Sequence, residues 1–314
     1  MSKVVALGGG HGLAATLSAL REITAEITAI VTVADNGGSS GRLREEFPIF
    51  PPGDLRMALA ALCSDDEWGR TWAEIMQHRF VSDGPLHGHA MGNLLLASLW
   101  SEDEDPVVGL DRVGSLLKVV GRVLPMAAVP LDIEGTFITS TGRIVVRGQK
   151  EVATAKGRID SLRVIPENPQ ARMEALTAIR TAEWITIGPG SWFSSVMPHL
   201  LVPMQLDALI RTQAKKILIL NLDSHAQTAG EEFAGSTPEE HLELFHAYAP
   251  KLAVDYFLVD NSVIRNEKAL IRIARKLGGQ VVAVDVRKGP GSIHHDVTQL
   301  ALQLGHIMRQ SLVG

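Results

Sequence analysis

The sequence predicts an α/β fold, doubly wound around a mostly parallel sheet, with a helical insertion and a small antiparallel β subdomain. Short β-branched runs alternate with amphipathic helical stretches, and most of those runs stop at glycine or a polar residue. A helical block and a group of closely spaced alternating segments interrupt the pattern.

The expected strands are Val4 to Leu7, Ile27 to Val33, Trp184 to Ile187, Ile217 to Leu222, Tyr256 to Val259 and Val281 to Val284. Between most of them lie helical patterns, at Leu13 to Leu20, Ala171 to Thr181, Pro238 to Tyr248 and Glu267 to Leu277. Asp54 to Val123 reads as successive helices without a strand, marked by Leu55-Leu59-Leu62, Trp68-Trp72-Ile75 and Val113-Leu116-Leu117-Val120. From Ala127 to Val164 the period shortens to alternation, in Leu131-Asp132-Ile133, Thr136-Phe137-Ile138 and Ile144-Val145-Val146, and Pro166-Glu167-Asn168-Pro169 closes the stretch. The expectation is one α/β domain over residues 1–314, with an inserted antiparallel subdomain at 125–168.

The 314 residues are enough to close a large core, and 46% hydrophobic with 21% charged residues is an ordinary globular composition. A formal net charge of -5 argues against general attraction to nucleic acid or an anionic membrane, so an anion would have to be held by local geometry. The lone Cys63 excludes an internal disulfide and a multi-cysteine metal site. With no signal-peptide pattern and no apolar run as long as a membrane span, a cytoplasmic location is expected.

Candidate functional residues gather where strands end. Gly8-Gly9-Gly10-His11-Gly12-Leu13-Ala14-Ala15 contains G-x-G-x-x-A between a strand and a helix. There, missing Cβ atoms let backbone approach a phosphate, and a helix N-terminus favours negative charge. The same pattern also fits a tight β-to-α turn that holds nothing. After the second strand, Asp35 stands where an acidic residue grips ribose hydroxyls, and Asn36-Gly37-Gly38-Ser39-Ser40-Gly41-Arg42 offers amides, hydroxyls and a guanidinium to a second anion. A solvated turn is the alternative.

In Pro51-Pro52-Gly53-Asp54-Leu55-Arg56 a capping role is enough to explain Asp54, and Arg56 could reach a phosphate, though a surface ion pair is the more frequent fate of such an arginine. His87 and His89 lack a neighbouring carboxylate or cysteine to complete a metal site, so hydrogen bonding by Asn93 and one histidine to a ligand or loop is preferred. Ile187-Gly188-Pro189-Gly190-Ser191-Trp192 is a third strand-to-glycine junction, at which Ser191 can cap a helix. It is no nucleophile elbow, since Gly-x-Ser-x-Gly is absent. Asn221-Leu222-Asp223-Ser224-His225 and Asp260-Asn261 end two more strands. Arg287 follows the last one, and His294-His295 reads as the lead into the final helix. In open α/β sheets ligands lie beyond the carboxyl ends of the strands, so these ends are expected to converge on one crevice.

In order and spacing, Gly8-Gly9-Gly10-x-Gly12-Leu13, Val33-Ala34-Asp35-x-Gly37-Gly38-Ser39-Ser40-Gly41-Arg42-Leu43-Arg44, Pro51 to Arg56, Gly88-His89-x-x-Gly92-Asn93-Leu94 and Ile187 to Ser191 resemble the gluconeogenesis factor family, also called YvcK, a branch of the CofD-like superfamily. The match runs to about Asn261 and is vague beyond. The resemblance implies a Rossmann-like fold and a cytoplasmic regulator, rather than an enzyme, that binds a UDP-sugar such as UDP-N-acetylglucosamine. It also implies a role in cell shape and envelope synthesis on gluconeogenic carbon sources, through a protein partner in cell-wall precursor supply. The superfamily's enzymatic branch transfers phospholactyl groups.

On this reading Gly10, Gly12, Ser39, Ser40 and Arg42 meet phosphate, Asp35 meets ribose or base, and Asn93, Gly190 and Ser191 meet sugar or phosphate. Gly9, His11, Asn36, Gly188, Asn221 and Arg287 complete the candidate ligand-binding set, with no catalytic residue, metal ligand or cofactor assigned. Oligomeric state stays open, a homo-oligomer included.

The sequence departs from the family's pattern. His11 replaces the usual threonine, Asn36 a usual aspartate, and Ser224 to Glu231 a Thr-Gln-Pro-Gly-Glu-Thr segment. The loss of a paired acid at Asn36 tells against the alternative function, a magnesium-dependent transferase of a nucleotide-activated group. An NAD-linked oxidoreductase is a further alternative, resting on the first glycine motif and Asp35, and the loop after Asp35 tells against it.

Overall fold

The computed structural model describes residues 2–102, 105–222 and 237–310. Its frame is a seven-stranded sheet in which every pairing is parallel. The chain enters through β1 (Val4–Gly8), crosses by α1 (Gly10–Arg21) to β2 (Ile27–Val31), and reaches β3 (Arg122–Pro125) through a helical block. That block comprises α2 (Gly38–Glu46), α3 (Pro52–Ala61), α4 (Glu67–Gln77), α5 (Met91–Glu102) and α6 (Pro106–Leu117).

An antiparallel sheet of β4 (Asp132–Thr139), β5 (Gly142–Arg147) and β6 (Arg158–Ile165) follows, with α7 (Gln149–Thr154) between its last two strands. The chain then returns by α8 (Met173–Thr181) to β7 (Trp184–Ile187). From there it builds outward through α9 (Pro203–Arg211), β8 (Lys215–Ile219), α10 (Pro238–Tyr248), β9 (Tyr256–Asp260), α11 (Glu267–Lys276) and β10 (Gln280–Val284) to α12 (Val297–Gln310).

Strand order is β10-β9-β8-β7-β1-β2-β3. The chain therefore adds strands to one side of β1, then restarts at β7 on the other side. Between β1 and β7 the crossovers diverge, which opens a crevice beyond the carboxyl ends of those strands. Buried strands read as continuous apolar runs, and Leu7, Ile30, Ile187 and Leu218 are all fully buried. Cys63 sits among them as a core residue.

The expected strands, helices and antiparallel insertion are present. The strand missing from the sequence reading is β3, whose four residues end in proline at the sheet edge and show neither alternation nor a long β-branched run. The stretch from Asp223 to Glu231, including His225, lies outside the described residues.

The antiparallel sheet is joined to the frame near β2 and β7. Leu131 N donates to Val33 O at 2.9 Å, and Arg44 pairs with Asp132 at 3.1 Å. Leu162 N donates to the Tyr248 hydroxyl at 2.6 Å. Phe137, 2% exposed, meets Phe193 edge to face with ring centroids 6.4 Å apart. Such an edge-on pair favours the ring quadrupoles, and truncation would leave a cavity between the sheets. Phe137→Ala is expected to lower unfolding free energy by about 3–5 kcal/mol, read from urea denaturation. A loss under about 1 kcal/mol would contradict this packing.

Candidate functional site

The turn after β1 is held against the turn after β7 by close backbone contact. A Cβ on Gly12 would lie 2.2 Å from the Pro189 carbonyl oxygen, and one on Gly9 would lie 2.4 Å from both Asp54 Oδ2 and Thr32 Cγ2. No side chain fits at either position without moving backbone or a buried carboxylate. Hydrogen bonds fix the arrangement: Thr16 Oγ1 donates to Gly188 O at 3.1 Å and Thr32 Oγ1 to Ser194 O at 3.2 Å.

Beneath the turns His199, fully buried, joins Gly8 O at 3.3 Å through Nε2. Gln205 Nε2 donates to its Nδ1 at 2.8 Å, so Nε2 carries the hydrogen and the ring is neutral. Burial holds its pKa down to about 4.

Above these turns lies a cavity of about 550 Å³, within the range of small-molecule sites. Its β1 wall is Gly9, Gly10, His11, Gly12 and Ala15, and its β7 wall is Pro189, Gly190, Ser191, Trp192 and Ser195. Asn221 and Leu222 come from the end of β8, Asp54 and Met57 from α3, and Gln149 from the antiparallel insertion. Ile293, His294 and His295 close it from the segment before α12.

The N-cap of α1 is Gly9, without a side-chain cap, so the first-turn amides and the positive end of the helix dipole border the cavity. Ser191 caps the π-turn at Trp192–Val196, accepting from Ser194 N at 3.4 Å. Asn221 bridges Gly190 at both ends, accepting from its N–H at 2.9 Å and donating to its carbonyl at 2.8 Å.

Of the sequence-predicted residues, Gly9, Gly10, His11, Gly12, Gly190, Ser191 and Asn221 thus come together around one cavity. The others are not among its lining residues. Ser39 is buried and its hydroxyl bonds His89 Nδ1 and Asn93 Nδ2, each at 3.0 Å, while Ser40 Oγ accepts from Gly53 N at 3.0 Å. Arg42 donates to Pro85 O at 3.3 Å and His87 O at 2.8 Å. Gly188 lies under Thr16, and Asp35 accepts from Gly37 N at 2.8 Å.

Asn36 Oδ1 accepts from Gln149 N at 2.8 Å, so it positions a cavity residue from outside. Arg287 does the same. It donates to Leu222 O and Ser292 O, and to Ser262 Oγ at 3.0 Å, pinning the segment that carries His294. The turns at His11 and Ser191 thus share the cavity, and the serine loop at Ser39 packs against α5, where its hydroxyl finds buried partners.

Asp54, Gln149, Trp192, His294 and His295 line the cavity without having been assigned to it. Asp54 is a first-turn residue of α3 but not its cap, which is Pro51. It is 7% exposed, receives the Gly10 N–H, and leaves Oδ2 without a hydrogen-bond partner. Burial first, and the neighbouring Asp35 carboxylate second, push its pKa up to about 7. Arg56 is no surface residue: 3% exposed, it donates Nε to Asn93 Oδ1 at 2.8 Å, and burial lowers its pKa to about 10. A glycine-proline-rich helix start between acidic and basic residues was the available signal for this pair, and it reads equally as a cap.

His11 and His294 face each other across the opening with ring centroids 6.5 Å apart. Trp192 stacks on His241 at 4.8 Å. Among the described residues no group of three or more His, Cys, Asp or Glu side chains gathers as a cation site. No helix among them is long and apolar enough to cross a membrane.

The fold is that of a Rossmann-like α/β protein with a cavity at the topological switch point. Residues 4–299 match the family model of 2-phospho-L-lactate transferase CofD, and the chain belongs to that family. A Mycobacterium leprae protein provisionally named a gluconeogenesis factor is 48% identical over 308 residues, 96% of this chain and 84% of that one. The gluconeogenesis factor of Halalkalibacterium halodurans is 39% identical over 83% of this chain and 78% of its own length. A crystallised UPF0052-family protein of Bacillus halodurans superposes with a TM-score of 0.86 at 33% identity, covering 97% of this chain and 99% of that one. Within the CofD family, the chain belongs with the gluconeogenesis factors.

Two outcomes follow from the packing and protonation of the site. Gly12→Ala is expected to force the β1 and β7 turns apart and cost about 1–3 kcal/mol, read as a lowered thermal midpoint; an unchanged midpoint would contradict the contact with Pro189. For acidity, burial holds His199, His241 and His295 at about 4, below the ordinary 6.5. An unfolded chain takes up protons that these folded rings refuse, so their contribution to stability is lost as pH falls from 6.5 toward 4. Asp54, raised from 3.8 to about 7, acts oppositely over the same window but is outnumbered. Urea midpoints at pH 7 and pH 5 are expected to show a loss on the order of a few kcal/mol at the lower pH; equal stability would contradict neutral buried histidines.

Proposed function

We propose that the chain is a nucleotide-sugar-binding regulator that takes UDP-N-acetylglucosamine or a close relative into the cavity between β1 and β7. The observation that carries this reading is that glycine-bounded turns from opposite sides of the switch point border one cavity of about 550 Å³. A diphosphate suits the β1 wall, where the first turn of α1 at His11 and Gly12 and the positive end of its dipole border the cavity. His11 and His294 stand at the opening, where hydrogen bonding to phosphate or sugar oxygen is available. Trp192 and Leu222 give the cavity an apolar component suited to a base or a sugar face.

The names of the relatives add support for a role in gluconeogenic growth. On this reading occupancy reports precursor abundance to a protein partner in cell-wall precursor supply, and so bears on cell shape. A cytoplasmic site of action belongs to the same proposal.

Calorimetric titration distinguishes this ligand class. UDP-N-acetylglucosamine is expected to give saturable heat while NAD gives none, and Gly12→Ala is expected to weaken binding by at least about tenfold, roughly 1.4 kcal/mol. No heat from the UDP-sugar at millimolar concentration overturns the reading.

The match to the 2-phospho-L-lactate transferase model favours a second reading, a transferase of a nucleotide-activated group. It is distinguished by turnover that requires added magnesium, against binding without turnover for a regulator.

A further inference from the structure

A cavity that takes a diphosphate needs positive charge, and its wall supplies little that is permanent. Among the described residues that line it there is no lysine or arginine, and Asp54 adds a carboxyl group. The start of α1 contributes a dipole worth about half an elementary charge. Arg56 and Arg79 lie near enough to act on His11, but both are committed elsewhere, Arg56 to Asn93 Oδ1 at 2.8 Å and Arg79 to Gly88 O at 2.8 Å. The side chains left in the wall that can become cations are histidines.

His11, His294 and His295 line the cavity, and they are held differently. His295 is buried and donates to the Leu220 carbonyl, and burial keeps its pKa at about 4. His11 and His294 are exposed, and among the described residues neither ring has a hydrogen-bond partner. Their centroids are 6.5 Å apart. That spacing lets two N–H donors, each reaching about 2.7–2.9 Å, meet one phosphate group between them. The rings come from two separately fixed elements. His11 stands in the first turn of α1, and His294 on a hairpin closed by the bridge between Arg287 and His295. Asp260 anchors this hairpin by accepting from Val286 N at 2.8 Å and Arg287 N at 2.9 Å, and Lys288 N donates to His294 O at 3.0 Å.

We propose that His11 and His294 form a proton-operated clamp: both imidazoles take up protons as the anion enters between them, and the two imidazolium ions supply the charge that the wall lacks. The proposal rests on the reading of the cavity as a diphosphate site and names the side chains that make it prefer a doubly charged ligand. Two imidazolium rings at this spacing repel, so without an anion the doubly protonated pair is disfavoured. Partial burial first, then His294, Arg56 and Arg79, hold His11 below its ordinary 6.5. An anion between the rings reverses the sign of the electrostatic contribution and raises the proton affinity of both. A diphosphate esterified at both ends keeps its charges around neutral pH, so the protons go to the protein. The bonds formed are N–H···O⁻ hydrogen bonds; the protons come from buffer and no covalent bond breaks.

The other charged or titratable groups around the pair are Asp54 and Arg56 on α3, Arg79 after α4, and Arg287, Lys288 and His295 on the hairpin. Asp54, which burial and Asp35 push up to about 7, titrates in the same range as the rings, so a proton count alone does not identify the group.

The test therefore follows each ring by proton–carbon NMR of the full chain labelled at histidine, with UDP-N-acetylglucosamine as the probe. Calorimetric titration in buffers of different ionisation enthalpy accompanies it. The two resonances are identified by their loss in His11→Gln and in His294→Gln. Saturating probe is expected to raise both midpoints by at least about one pH unit, a tenfold gain in proton affinity. Calorimetry is expected to show proton uptake near neutral pH, and affinity that falls by about tenfold to a hundredfold between about pH 6 and about pH 8.

His294→Arg replaces a titrating ring by a fixed cation. It is expected to bind the probe at least about tenfold more tightly than the wild type near pH 8 and to take up fewer protons. Saturable binding with either ring's midpoint unmoved, or with equal affinity at the two ends of that pH range, overturns the proposal and leaves the cavity reading standing. Absence of binding at every pH removes the cavity reading itself, and this proposal with it.

Discussion

The structure depends on a close approach of two backbone turns. Where β1 and β7 lie side by side, the chain reverses the direction in which it adds strands, and the turns leaving those strands must pass within contact of each other. Gly9 and Gly12 allow this by having no Cβ, and a methyl at Gly12 would overlap the Pro189 carbonyl. Everything that lines the cavity is referred to this contact: α1 starts from one turn, Ser191 and Trp192 leave the other, and His199 ties the floor beneath Gly8. Asn221 extends the contact to β8 by clasping Gly190 from both sides.

Most of the frame was legible in the sequence because buried parallel strands must be continuous apolar runs and crossovers must be amphipathic. The runs at Val4, Ile27, Trp184, Ile217, Tyr256 and Val281 all became strands of the sheet. The edge strand β3 escaped because a strand of four residues ending in Pro125 carries too little pattern to distinguish it from the end of a helix. The antiparallel insertion was visible from the change of period, whereas its contribution of Gln149 to the cavity depends on a tertiary docking that no local pattern encodes.

The site was legible to a different degree. Glycines at strand ends announce where backbone must come close, and Gly9, Gly10, Gly12 and Gly190 all line the cavity. Polar side chains at strand ends announce only that something will be hydrogen-bonded. Asn36 bonds the backbone of Gln149, Arg287 bonds the carbonyls of Leu222 and Ser292, and Ser39 bonds His89 and Asn93. Asn36 and Arg287 thereby hold lining residues in place, and Ser39 packs its loop against α5. Asp54 shows the converse, because a residue type with an ordinary explanation as a cap lies buried in the wall with an unpartnered oxygen. Which of two chemically equivalent fates a polar side chain meets is decided by long-range packing, and the family resemblance identifies the motif without deciding it.

The central claim is that an anionic ligand is held by the turns after β1 and β7, with the serine loop supporting from outside. Amide hydrogen exchange with and without UDP-N-acetylglucosamine tests it most directly, residue by residue. The account predicts new protection at residues 9–13 and 190–195, with residues 39–42 exchanging at the same rate in both states. Protection concentrated at 39–42, with the glycine turns unaffected, would contradict it.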